Sequence, residues 1–276
     1  MAQDVTAGAN SRIVSQSMQF LFGVRFDNID WRTALDAVQM YAAPAPGRPP
    51  RRLVFTNVHT IMLALRNPEF RRAVNYADLA LPDGSGMAIA GRAFGTPIRE
   101  NLNGTDFTPL VLRTAQARGW SVYLLGGKDD VNRECRRRIA EGFPGLRIAG
   151  SRAGYFSPDD TGVIIGEINA AAPDILLVGL GSPNQEIWVA QNLRSLRAGV
   201  AITVGGLFDF LAGRFRRAPW WMRRLGLEWL FRFGVDPLAK WRRVLIEVPV
   251  FMSLVALFRL LPRALHTVLL RGERFP

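Results

Sequence analysis

Short apolar runs alternate with amphipathic stretches of helical length along most of this chain, and that alternation confines it to few architectures. The runs at 53–56, 121–125, 146–151, 175–178 and 201–204 are four to six residues long and rich in Val, Ile or Leu. Strands buried on both faces have this character. Between them lie amphipathic segments at 31–42, 105–118, 131–141, 159–172 and 184–193. Strand–helix alternation at such spacing predicts an α/β fold: a Rossmann-like, mainly parallel sheet with helices on both faces. Pro44, Pro46, Gly47, Pro49 and Pro50 separate the first helix from the strand after it.

From Arg214 onward the strand signals stop. The 276 residues carry a net charge of +12, and it is unevenly placed. Residues 214–276 hold 13 Lys/Arg against 4 Asp/Glu, whereas the rest of the chain is near balance. The expected organisation is therefore a polar, disordered terminus over 1–19, an α/β catalytic core over 20–213, and a basic, aromatic-rich helical appendage over 214–276. Concentrated positive charge seeks an anionic surface, either acidic lipid or nucleic acid. Trp220, Trp221, Trp229 and Trp241 lie among Arg223, Arg224, Arg232, Lys240, Arg242 and Arg243. Indole rings favour the headgroup boundary, with the cations facing phosphates. Residues 248–258 are apolar apart from Ser253, too short to span a bilayer and suited to lying in its interface. Two alternatives stand beside this: a helical hairpin packed on the core or on another subunit, and single-stranded nucleic-acid binding. The aliphatic tail after Val244 speaks against the second.

The first 19 residues do not read as a secretory signal, and no stretch of about 18 uninterrupted apolar residues occurs, so a cytoplasmic compartment is expected. The single Cys135 leaves no intramolecular disulfide, and with the distant His59 and His266 it makes no zinc cluster.

In open parallel sheets, ligands bind beyond the carboxyl ends of the strands. Thr56-Asn57, Pro82-Asp83-Gly84, Gly126-Gly127-Lys128, Gly179 to Glu186, and Gly205-Gly206-Leu207-Phe208-Asp209 all fall at such ends. Gly126-Gly127 and Gly205-Gly206 each precede a helix start, where bare amides can cradle a diphosphate or simply make tight turns. Asp83 at the mouth of an apolar crevice can accept a proton from a hydroxyl, or it can be an ordinary turn former or helix cap. Asp106 has the same two readings. Gln185 and Glu186 can bind a sugar or base, or sit exposed in a first helical turn. His59 reads as a partnered surface histidine, and Asp129-Asp130 and Asp159-Asp160 as solvated helix starts. No dinucleotide fingerprint, Walker A loop or D-x-D triplet is present, so no cofactor and no metal are expected.

Taken in series, Thr56-Asn57, Pro82-Asp83-Gly84, Asn103-Gly104-Thr105-Asp106, Gly181-Ser182-Pro183-Asn184-Gln185-Glu186, the segment from Gly205 to Gly213, Arg217-Ala218-Pro219 and the segment from Gly226 to Arg232 resemble the WecG/TagA/CpsF glycosyltransferases. The likeness runs in order over residues 20–245. It implies inverting, metal-independent transfer from a UDP-sugar to an undecaprenyl-diphosphate-linked acceptor, at the cytoplasmic face of the cell membrane and without nucleic acid. Carried across, Asp83 is the general base, and Thr56 and Asn57 line the donor pocket. Asn103, Gly104 and Asp106 lie at the substrate, and Gln185 and Glu186 contact donor or acceptor. Gly126, Gly127 and Gly206 hold the UDP, Phe208 and Asp209 lie at the substrate, and Arg232 and Arg242 meet the leaving diphosphate. Asn101 stands where the pattern carries arginine, with Arg99 nearby, and Ala239 where a basic residue is expected, beside Lys240. The wording of 99–104 and the apolar tail resemble the exopolysaccharide branch with the xanthan-type glucosyltransferase, which implies a glucosyl donor. N-acetylmannosaminyl or N-acetylmannosaminuronyl transfer is the alternative. Oligomeric state is open, a homo-oligomer included.

Overall fold

A computed structural model of the chain describes residues 17–42 and 47–260. It opens with an antiparallel hairpin, β1 (Met18–Leu21) and β2 (Val24–Asp27), followed by α1 (Trp31–Ala42). Next come β3 (Arg51–Thr56), α2 (Val58–Ala64), α3 (Pro68–Asn75), β4 (Leu79–Pro82) and α4 (Ser85–Ala93). The chain continues through α5 (Gly104–Arg118), β5 (Ser121–Gly126), α6 (Asp129–Gly142), β6 (Arg147–Arg152), a 3-10 turn at Pro158–Asp160 and α7 (Thr161–Ala171). β7 (Ile175–Gly179), α8 (Asn184–Asn192), β8 (Val200–Thr203) and the single turn α9 (Leu207–Leu211) complete the α/β part. The described remainder is α10 (Trp220–Arg224), α11 (Glu228–Val235), α12 (Pro237–Arg242), a π-helical turn at Arg243–Glu247 and α13 (Val248–Leu260).

Strands β3 to β8 form a parallel six-stranded sheet in the order β4-β3-β8-β7-β5-β6. Side chains alternate between its faces, as the two-residue period of a strand requires. Leu53, Leu79, Leu81, Val122, Leu124, Ile175, Leu177 and Ile202 meet α1, α5 and α6 on one side. On the other side Val54 and Ala80 meet the hairpin, α2, α3, α4 and α13, while Tyr123, Leu125, Leu176 and Ala201 meet α7 and α8. The expected Rossmann-like α/β class is the observed one, and the expected strands and helices fall within a residue or two of those present.

Three departures from the sequence reading concern elements. Met18 and Gln19, expected in a disordered terminus, belong to β1; residues 1–16 lie outside the described residues. The hairpin was not anticipated, nor were α2, α3 and α4. The sheet has a sixth strand, β4, absent from the five apolar runs above and implied only by the strand end assigned to Pro82-Asp83-Gly84. A buried ion pair fastens the hairpin to the sheet: Arg25 Nη2 donates to Asp27 at 3.0 Å, and Asp27 Oδ2 accepts the Ala80 amide at 2.7 Å. The appendage is helical as expected, and its last described helix folds back on the core. Phe251 is fully buried, and Phe251 and Phe258 meet Phe22 of the hairpin edge-on at 5.7 and 5.6 Å.

Candidate active site

Strands β3 and β8 are neighbours whose connections leave in opposite directions: β3 leads to β4 on one side, and β8 is reached from β7 on the other. Such a switch point opens a crevice beyond the carboxyl ends of the strands. A cavity of about 410 Å³ lies there, within the range typical of small-ligand sites. Phe55, Asn57, Asp83, Gly181, Ser182 and Thr203 to Gly206 line it from the strand ends. Gly104 and Thr105 line it from α5, and Phe215, Arg216, Arg217, Glu228, Val235, Asp236, Lys240 and Arg243 from the appendage.

Asp83 is the first residue past β4, and its placement follows from backbone chemistry. Its amide donates to Thr56 O at 2.9 Å, continuing the β3–β4 ladder by one residue. Gly84 then turns the chain sharply, with φ 95° and ψ 159°, a conformation essentially reserved for glycine. Its amide donates to Asn101 Oδ1 at 2.7 Å. Gly84, rather than Asp83, is the N-cap of α4, so the capping alternative for Asp83 is not realised, and Asp83 lines the cavity. Asn57 does cap α2: its Oδ1 accepts the Thr60 amide at 3.0 Å, which turns its Nδ2 toward Asp83 Oδ2 at 3.3 Å.

Gln185 and Glu186 open α8 and are almost fully buried, against the exposed alternative. Gln185 Oε1 accepts the Gly205 amide at 2.9 Å, and its Nε2 donates to Glu186 Oε1 at 2.7 Å. Burial pushes the Glu186 carboxyl up; the Gln185 and Ser182 hydrogen bonds and the nearby Thr203 hydroxyl offset only part of that. Asp209 lines the cavity beside Gly206 and lies 3.9 Å from Arg214.

Several expected ligand residues stand elsewhere. Thr56 is fully buried, and its hydroxyl donates to Arg25 O at 2.9 Å, tying β3 to the hairpin rather than lining the cavity. Asn103 caps α5, accepting the Asp106 amide at 2.9 Å. Asp106 pairs with Arg217 of the appendage. Burial raises the Asp106 carboxyl, but hydrogen bonds from Arg217 and Asn103 outweigh this and hold it below the ordinary value. Gly126 and Gly127 do not line the cavity. A Cβ on Gly126 would strike the Gly179 carbonyl oxygen at 2.4 Å, so this glycine serves close strand packing. Phe208 is a core side chain against Gly127 and Gly179. Arg242 is exposed and stacks on Trp241, its guanidinium 5.5 Å from the ring centre; Arg243, one residue on, is the cavity residue, with Lys240. The Arg232 side chain lies outside the described residues.

Sequence reasoning passed over His59, Thr105, Ser182, Arg217, Glu228 and Arg243, all of which line the cavity. Among the described residues, every Lys or Arg lining it comes from beyond Gly213. Links that hold the appendage over it include, among the described residues, Arg217 to Asp106, Ser85 Oγ to Gly226 O at 2.9 Å, and His59 Nδ1 to Glu247 Oε2 at 2.6 Å. Burial works against the Glu247 charge, but His59, Arg243 and Arg66 outweigh it and hold the carboxyl below its ordinary value. Among the described residues no group of three or more His, Cys, Asp or Glu could hold a metal ion, and no helix is long and apolar enough to cross a membrane.

An acid and several cations lining one switch-point crevice make an arrangement that can deprotonate a nucleophile and meet an anionic leaving group, in an α/β fold. The family model described as "Glycosyl transferase WecG/TagA/CpsF family" matches residues 19–264, and the chain belongs to that family; it is a glycosyltransferase. Among relatives, an N-acetylglucosaminyldiphosphoundecaprenol N-acetyl-beta-D-mannosaminyltransferase of Bacillus spizizenii is 33% identical over 192 residues, 70% of this chain and 73% of the relative. Enzymes of the same description from Bacillus subtilis and Staphylococcus aureus (strain MRSA252) are 30% and 26% identical. They cover 68% and 86% of this chain, and 73% and 91% of their own lengths.

Proposed function

We propose that the chain transfers an N-acetylmannosaminyl group from a UDP-linked donor to an N-acetylglucosaminyl-diphospho-undecaprenol acceptor, in cell-surface polysaccharide synthesis at the cytoplasmic face of the membrane. The donor sugar is a revision of the glucosyl expectation, since the relatives above are described as N-acetylmannosaminyltransferases. The observation carrying the reading is the cavity itself, with Asp83 on its core side and Arg216, Arg217, Lys240 and Arg243 on its appendage side.

In the proposed reaction Asp83 takes the proton from an acceptor hydroxyl. That oxygen attacks the anomeric carbon from the face opposite the diphosphate; the new C–O bond forms as the sugar–phosphate bond breaks, inverting the centre. UDP leaves with the bonding pair, its charge met by the appendage cations and by the Gly205–Gly206 turn. Asn57, whose Nδ2 faces Asp83, orients the carboxylate. The test is turnover with UDP-N-acetylmannosamine, UDP-glucose and UDP-N-acetylglucosamine on a polyprenyl-diphosphate-N-acetylglucosamine acceptor, read by product mass. An added N-acetylhexosamine from the first donor alone is the expected result, and an added hexose restores the glucosyl reading.

A further inference from the structure

Glu186 differs from the other cavity acids in being shut away from water. The residue is 5% exposed, yet it belongs to the cavity wall. Its two oxygens are treated unequally. Oε1 accepts from Ser182 Oγ at 2.9 Å and from Gln185 Nε2 at 2.7 Å. Oε2 is buried with no hydrogen-bond partner among the described residues. An ionised carboxylate spreads its charge over both oxygens and needs donors at each, whereas a protonated one needs donors at its carbonyl oxygen and an acceptor for its O–H, a part open to the nearby Thr203 hydroxyl. The environment matches the protonated form, with the proton on Oε2, and burial favours the same form.

The bonds to Oε1 also have a consequence at a distance. Gln185 is immobilised at both ends of its amide: Nε2 is held by Glu186 Oε1 and lies 3.3 Å from Ser182 Oγ, while Oε1 holds the Gly205 amide. Two loops, one after β7 and one after β8, are thereby stitched together. With both ends occupied, Gln185 is poorly placed to contact a substrate directly.

We propose that Glu186 is a positioning residue: as an uncharged carboxyl it locks Gln185 and, through it, the Gly205–Gly206 turn into the shape that receives the diphosphate of the nucleotide donor. This rests on the UDP-sugar reading above. Neutrality matters because a buried negative charge at this wall would repel the incoming diphosphate through a poorly screened medium.

The test measures UDP binding to the full chain by calorimetry for wild type, Glu186→Gln, Glu186→Asp and Glu186→Ala, with thermal melting of each. Glu186→Gln keeps the carbonyl oxygen and cannot ionise, so it is expected to bind UDP within about twofold of wild type. Glu186→Asp, which pulls the acceptor back, and Glu186→Ala, which deletes it, are expected to weaken UDP by about tenfold or more. Weakening by Glu186→Gln as large as that by Glu186→Asp overturns the neutral positioning role, and so does undiminished binding by Glu186→Asp. If Glu186→Ala does not fold, the Gln and Asp variants decide the matter alone. A wild-type chain that binds no UDP overturns the donor reading, and this inference with it.

Discussion

At residue scale the site turns on how little freedom Asp83 has. Its amide is committed to β3, the next residue is a glycine in a conformation other residues avoid, and its carboxylate faces the Asn57 amide. Asp83→Asn conserves shape and removes the proton acceptor, so turnover is expected to fall by about 100- to 10,000-fold while UDP affinity is kept. Turnover near wild type would remove Asp83 from the mechanism. Gly84→Ala tests the scaffold separately. A Cβ meets no atom within 4 Å there, so the cost is backbone strain alone, about 1–3 kcal/mol, read as a shifted denaturation midpoint. An unshifted midpoint contradicts the strain argument. Asp83 was legible because an acid after an apolar run must emerge at a strand end. The seat of Thr56 was not, because its hydroxyl is consumed by Arg25 on a hairpin the sequence reading did not contain. Arg242 and Arg243 were indistinguishable by type, and helical phase alone decides which one meets the cavity.

At element scale, legibility follows unbroken apolar sequence rather than burial, since β2 is buried throughout and gave no strand signal while β6 has no fully buried position and did. Strands β5, β7 and β8 are buried along almost their full length, so their apolar runs mark them plainly. The hairpin strands have four residues each and carry Gln19, Arg25 and Asp27, whose polarity is satisfied by pairing that no local pattern records. Helices α2 and α3 are short and capped by Asn57 and Asn67, a signal passed over because a strand end was already assigned to Asn57. The Asp106–Arg217 link joins α5 to the appendage and carries a pH signature. The Asp106 carboxyl lies below its ordinary 3.8 in the folded chain. Its contribution is therefore fully present above that value and is lost as pH falls through the lower folded one. Both side chains are about one-third exposed, so the link is worth less than about 1 kcal/mol and its loss loosens the appendage without unfolding the core. The protection of the α10 amides, taken relative to intrinsic exchange at each pH, is expected to fall below about pH 4 before that of β5 does. Arg217→Gln should make that protection independent of pH in this range, and a pH dependence equal to wild type would dissociate the link from the appendage.

At the scale of the whole molecule, charge and exposed apolar surface are concentrated in one region. Trp220 and Trp221 are 65% and 50% exposed, with Leu225, Leu238 and Leu245 more than half exposed, while Phe251 and Val255 anchor the opposite end in the core. The charge asymmetry was visible in sequence. The packing of 248–260 on the core was carried only as the alternative to a segment lying in the bilayer interface, and the structure takes that alternative, burying Phe251 and Val255 beside the hairpin. The proposal that this region meets a membrane makes two separable demands. Arg223 and Arg224 are exposed, and a cation near an anionic bilayer contributes about 1 kcal/mol. Replacing both with Gln is therefore expected to weaken binding to vesicles containing anionic lipid by roughly 25-fold. Binding to neutral vesicles should barely change, and the difference should shrink in high salt. Trp220→Ala with Trp221→Ala removes apolar contact instead, and should weaken binding to anionic and neutral vesicles alike. Arginine replacement that leaves anionic-vesicle binding unchanged would assign the surplus charge wholly to the cavity. Undiminished vesicle binding after the two Trp→Ala changes would instead assign the indoles to a protein partner rather than a lipid one.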